Sequence, residues 1–137
     1  MFKFELKGVE QTIQDLEAHF SPAALLKAKD KALTKGAEFL KDKLYIMLDQ
    51  TKDTGAARDE LTFSKPQWID GERVITLHWR GNKDRYRVIH LIENGFYDRS
   101  GNFKKPEGYG QIENVLAANR VEYIKIVADE LQRQIAG

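Results

Sequence analysis

At 137 residues the chain is the size of one domain, long enough to bury roughly two thirds of the surface that its unfolded form exposes. Its 22 basic and 21 acidic residues leave a formal net charge of +1, so bulk electrostatics favour neither DNA nor an anionic membrane. With no cysteine, disulfides, thiolate catalysis and cysteine-ligated zinc are excluded, and no apolar run approaches the ~20 residues that cross a bilayer.

From Phe2 to Lys7 apolar and charged residues alternate, with Phe2, Phe4 and Leu6 on one face and Lys3, Glu5 and Lys7 on the other. This period of two predicts a half-buried strand, whereas a secretory signal needs a continuous apolar stretch; folding in the cytoplasm fits. Val9 to Phe20 reads as a short helix through Ile13, Leu16 and Phe20. Ser21-Pro22 then marks a new start: serine accepts a free amide of the first turn, and proline lacks the amide that would be orphaned there. A long helix is expected from Pro22 to about Asp49, with Leu26, Leu33, Ala37, Leu40, Leu44 and Met47 as its apolar stripe. Lys27, Lys29, Lys31, Lys35, Lys41 and Lys43 fill much of the rest, either as a solvated face or as a surface for DNA or an acidic partner. Gly36 in the interior costs ~1 kcal/mol relative to alanine, which a close helix contact would explain.

Asp53-Thr54-Gly55 is expected to turn the chain from the long helix into the first strand of a hairpin, the side chains of Asp53 and Thr54 holding the turn and Gly55 permitting the reversal. Leu61 to Ile69 and Glu72 to Arg80 flank Asp70-Gly71, a strong two-residue hairpin signal. Pro66 marks an edge or a bulge, because proline cannot donate to a ladder. Tyr86, Ile89, Ile92 and Glu93 fall at helical spacing, and Gly95 stands where a helix ends. Phe96 to Gly110 is long for a connection and is read as a loop that is mobile in isolation and ordered on assembly. Gln111 to Ile135 returns to helical periodicity. The fold predicted is α+β over residues 1–137: N-terminal strand, long amphipathic helix, antiparallel hairpin sheet, short helix, long loop, and C-terminal helix packed on the sheet.

No catalytic constellation emerges. Asp53-Thr54-Gly55 matches the triplet of retroviral-type aspartic proteases, but those enzymes need two enclosed carboxylates and an apolar strand leading in, whereas Asp49-Gln50-Thr51-Lys52 leads in here. His90 and Glu93 share a helix face, yet two ligands are too few for a metal. Gly108-Tyr109-Gly110 lacks the lysine and buried strand of a phosphate loop. The chain is expected not to be an enzyme and to hold no cofactor. Arg99, Lys104 and Lys105 interleave with Phe96, Tyr97, Phe103 and Tyr109, and Tyr97, Arg99, Phe103, Lys104, Lys105 and Tyr109 form the expected interface. The same mixture suits stacking on nucleic-acid bases.

The ordered features Asp53-Thr54-Gly55 with Arg58, then His90, Glu93 and Gly95, between a lysine-rich helix and a C-terminal helix, resemble the neck and tail-component proteins of tailed bacteriophages. That resemblance implies a structural protein that completes the tail and joins it to the head. It would assemble as a ring, commonly a hexamer, against the tail tube protein and head connector proteins, with DNA met only as the passing genome. It would reside in the virion, and in the host cytoplasm during assembly, without a membrane. The alternatives are a minor tail component elsewhere in the tail, or a small nucleic-acid-binding module using the lysine helix and the aromatic loop.

Overall fold

A computed structural model describes residues 2–6, 8–49, 59–81, 89, 93–106 and 109–136. Within them strand β1 (Phe2–Phe4) is followed by helices α1 (Glu10–Glu17) and α2 (Pro22–Asp49), then by strands β2 (Leu61–Phe63), β3 (Gln67–Ile69) and β4 (Glu72–Trp79). A small hairpin, β5 (Phe96–Tyr97) and β6 (Phe103–Lys104), leads to helices α3 (Gln111–Ala118) and α4 (Arg120–Ala136). The class is mixed α+β, as the hydrophobic periods predict. Asp53, Thr54, Gly55, Arg58 and His90 lie outside the described residues.

Strand β4 is the centre of the antiparallel sheet, with β1 on one side and β2 and β3 on the other. Asp70 and Gly71 both take positive φ, 51° and 80°, which is the mirror-image turn that matches the twist of a two-residue hairpin. The partner strand is broken where Pro66 predicts: Phe63 faces Leu77 and Gln67 faces Val74, so four steps on one side meet three on the other. Ser64 bridges this bulge. Its N–H donates to the Thr76 carbonyl at 2.9 Å, and its hydroxyl accepts the Thr76 N–H at 2.8 Å, standing in for a ladder carbonyl.

Helix α2 begins as expected, with Ser21 Oγ accepting the Ala24 N–H at 3.2 Å. Its buried stripe is Leu25, Ala32, Leu33, Gly36, Ala37, Leu40, Leu44 and Leu48, so Leu25 and Leu48 replace the expected Leu26 and Met47 at the ends. The helix is covered from two sides, by β4 and by α4, and its buried arc is therefore wider than a one-sided stripe. One cluster joins it to Phe4, Leu16, Leu61, Ile75, Leu77, Trp79, Ile112, Val127 and Leu131. No helix among the described residues is long and apolar enough to cross a membrane.

The C-terminal region divides into two helices where periodicity alone suggests one. Asn119 separates them with φ −106° and ψ 10°, and its side-chain amide donates to the Val115 carbonyl at 2.8 Å, the competition with the backbone that disfavours asparagine within helices. Helix α4 then runs along α2 and touches the sheet through Tyr123, whose ring neighbours Phe4 and whose hydroxyl donates to the Glu5 carbonyl at 2.6 Å. Gly36 makes the crossing possible. A Cβ there would collide with the Tyr123 ring and come within 2.9 Å of Val127 Cγ2.

Two predictions follow from this crossing. Gly36→Val, which drives two methyls into the Tyr123 ring, is expected to cost at least about 2 kcal/mol in urea unfolding; an unchanged midpoint would mean that the helices do not meet there. Burial, with the charge of Glu5 adding, holds the Tyr123 phenol well above its ordinary pKa of 10.0. The unfolded state then gives up this proton first, so stability present below about pH 10 falls as pH rises above it. Unfolding midpoints between about pH 9 and about pH 12 should decline less steeply in Tyr123→Phe than in the parent chain.

Candidate interaction surface

The surface begins at Glu93, which is buried although charged. Helix α3 starts after Gly110, a residue with φ 68° and no side chain to cap the first free amides. Glu93 supplies the missing cap from outside the helix: its carboxylate accepts the N–H of Ile112 at 2.9 Å and that of Glu113 at 3.1 Å. A negative group at the positive end of a helix dipole is the favourable sign. The Glu93 carbonyl also accepts the Gly110 N–H at 3.1 Å, so both ends of the 94–109 segment are tied together. Sequence spacing puts Glu93 on a helix face with His90, two ligands and so too few for a metal; the structure shows Glu93 as the cap of α3, and His90 lies outside the described residues. Among the described residues no three His, Asp or Glu side chains converge on a common point.

Between these ties, the stretch read as a mobile loop contains the β5–β6 hairpin, which pairs Phe96 with Lys104 and Tyr97 with Phe103. Asp98 builds its turn: one carboxylate oxygen accepts the N–H groups of Ser100 at 2.9 Å and Asn102 at 3.0 Å, and the other lies 3.6 Å from Lys104 Nζ. Aspartate favours such turns because its short side chain reaches backbone amides two residues on. At the base, Gly95 adopts φ 73°, and a Cβ there would lie 2.5 Å from Phe103 Cζ and 2.8 Å from the Lys104 carbonyl. Only glycine lets the Phe103 ring lie over the backbone at this point.

The hairpin lines up three rings in water. Tyr97 and Phe103 have centroids 5.2 Å apart, Phe103 and Tyr109 6.2 Å, and Lys105 Nζ stands 5.4 Å from the Tyr109 centroid. Tyr97 is 73% exposed and Phe103 and Tyr109 are each 42% exposed. Of the residues expected at an interface, Tyr97, Phe103, Lys105 and Tyr109 therefore form one surface. Lys104 alternates to the opposite side with Phe96 and pairs with Asp98, and Arg99 is exposed in the turn. Aromatic rings of this geometry attract each other edge to face, and an exposed array of them offers apolar area with little side-chain entropy to lose.

Sequence reasoning missed a further exposed ring, away from the hairpin. Trp68, 56% exposed, lies under the guanidinium of its cross-strand neighbour Arg73 at 5.2 Å. Arg73 in turn donates both to Asp30 Oδ1 at 2.7 Å and to Asp30 Oδ2 at 2.8 Å, and this hydrogen bonding raises the Arg73 pKa. The pair clamps β4 to α2. No local pattern signals it, because 43 residues separate the partners.

No protein-family model, curated protein or solved structure matches the chain.

Removing the remote cap gives a direct check. Glu93→Ala leaves two amides without an acceptor and is expected to cost about 1 to 3 kcal/mol, with faster hydrogen exchange at Ile112 and Glu113. Unaltered exchange at those two amides would show that the cap is not made.

Proposed function

We propose that the chain is a structural protein of tailed bacteriophages that completes the tail and joins it to the head connector, assembling as a ring in the neck. The observation that carries this reading is the exposed row of Tyr97, Phe103 and Tyr109 on a hairpin held at its base by Glu93 and Gly95. Glu93 and Gly95 are two of the ordered residues on which the resemblance rests. Their tasks here, capping α3 and seating Phe103, supply a physical reason for those residue types at that spacing. Rings kept in water on a braced hairpin are unfavourable for a lone chain and favourable once a partner covers them. The partners in this reading are neighbouring copies, the tail tube and head connector proteins. A position elsewhere in the tail uses the same surface.

The test is complementation of a phage that lacks this gene. Replacing Tyr97, Phe103 and Tyr109 together by serine removes exposed rings, leaves the core cluster intact, and is expected to lower joined particles by more than about tenfold. Normal numbers of joined particles, with the variant soluble and folded, would exclude the hairpin. Filter binding at low and moderate salt addresses the nucleic-acid reading; it requires affinity that falls steeply with salt, and the near-neutral chain is expected to show none.

A further inference from the structure

Helix α2 carries an exposed stripe whose charges are sorted along its length. Lys27, Lys31, Lys35, Glu38, Asp42, Ile46 and Asp49 follow one another at steps of four or three residues, which keeps them on one side of the helix, and all are exposed. The cations occupy the N-terminal half. The carboxylates occupy the C-terminal half and flank Ile46, an isoleucine left 57% exposed.

This order works against the isolated helix. Lys27 and Lys31, Lys31 and Lys35, and Glu38 and Asp42 are like-charged neighbours four residues apart, which destabilises a helix. A face shaped only by water would gain from mixing the signs. Beside Lys27 and Lys31, moreover, the same side of α2 opens into an apolar crevice of about 210 Å³ with Ala24 and Ala28 as its floor and Leu16 and Phe20 of the α1 region as its wall. That volume falls below the roughly 300 Å³ at which small-molecule sites begin, and it suits one aliphatic side chain.

We propose that this face is the interface between two copies of the chain, packed with their α2 helices antiparallel about a two-fold axis near Glu38. Reversal about Glu38, the midpoint of the stripe, sets Lys35 opposite the second copy's Asp42 and brings Lys27 towards the negative end of that copy's α2 dipole. The same reversal carries Ile46 to the end of the crevice beside Lys31. Each contact occurs twice, as a two-fold axis requires, and the antiparallel helix dipoles attract. The two Glu38 side chains meet at the axis, each with Lys35 one turn away. This pairing is independent of the head-joining role, because it uses none of the hairpin residues.

Sedimentation equilibrium of the full chain from micromolar to millimolar concentration, at about 0.05 M and about 0.5 M salt, tests it. The expected result is a monomer–dimer equilibrium that weakens with salt. Lys35→Glu and Asp42→Lys are each expected to raise Kd by about tenfold or more, and the double variant, which reverses the pair in both copies, to recover most of that loss. Ile46→Asp should abolish the dimer and Glu38→Gln should tighten it, with unchanged circular dichroism throughout, since every altered side chain is exposed. A chain that stays monomeric at all concentrations overturns the proposal. So does a dimer whose Kd is indifferent to Ile46→Asp and Lys35→Glu, or one lost only when Tyr97, Phe103 and Tyr109 are replaced.

Discussion

The closeness of α4 to α2 at Gly36 is the constraint on which the rest of the molecule depends. With no side chain at that position, Tyr123 and Val127 approach the long helix directly. Tyr123 can then span two layers, its ring against Phe4 and its hydroxyl on the Glu5 carbonyl. Buried tyrosine is costly unless its hydroxyl finds an acceptor, and the backbone just after β1 provides one. The glycine thus sacrifices local helix propensity and gains a contact that holds helix to helix and helix to sheet.

A second clamp, Asp30 with Arg73, joins α2 to β4. Because Arg73 also lies over Trp68, its guanidinium donates two hydrogen bonds to one carboxylate while contacting a ring, a combination that arginine's rigid fork permits and lysine's single ammonium does not. Held at both places, α2 acts as a spine. The aromatic hairpin is anchored by Glu93 to the start of α3, whose Ile112 belongs to the core cluster. Displacement of that helix would be felt at the rings.

Much of this was legible in the residues, and what was legible was local. Ser21-Pro22 located the start of α2 because capping involves neighbours only, and Asp70-Gly71 located the hairpin because the positive φ values are a property of the two residues themselves. Gly36 signalled a close contact because its propensity cost had no local compensation. The ends of the buried stripe were misplaced by one residue, at Leu25 and Leu48, since burial from two sides depends on where α4 lies. Asn119 split the last helix by bonding Val115, a choice that apolar periodicity does not register. The residues named for the surface fall on or beside the β5–β6 hairpin, but which of them share a face depends on the register of β5 with β6, which puts Phe103 beside Tyr97 and sends Lys104 to the other side. Glu93 was legible as a residue of interest and illegible as a cap, because its partners lie 19 and 20 residues away.

The broken strand opposite β4 has a consequence for how copies can meet. Among the described residues, β2 and β3 have β4 as their only strand partner and their far side is an edge, and an unbroken edge is a template on which further strands add without limit. Here Pro66 removes a donor, and the bulge at Ser64 throws the two short segments out of register with each other. A strand that matched β2 would mismatch β3. Growth by backbone pairing along that edge is thereby discouraged, and in the proposed assembly contact between copies falls to side chains, whose shapes and charges can limit the number of subunits.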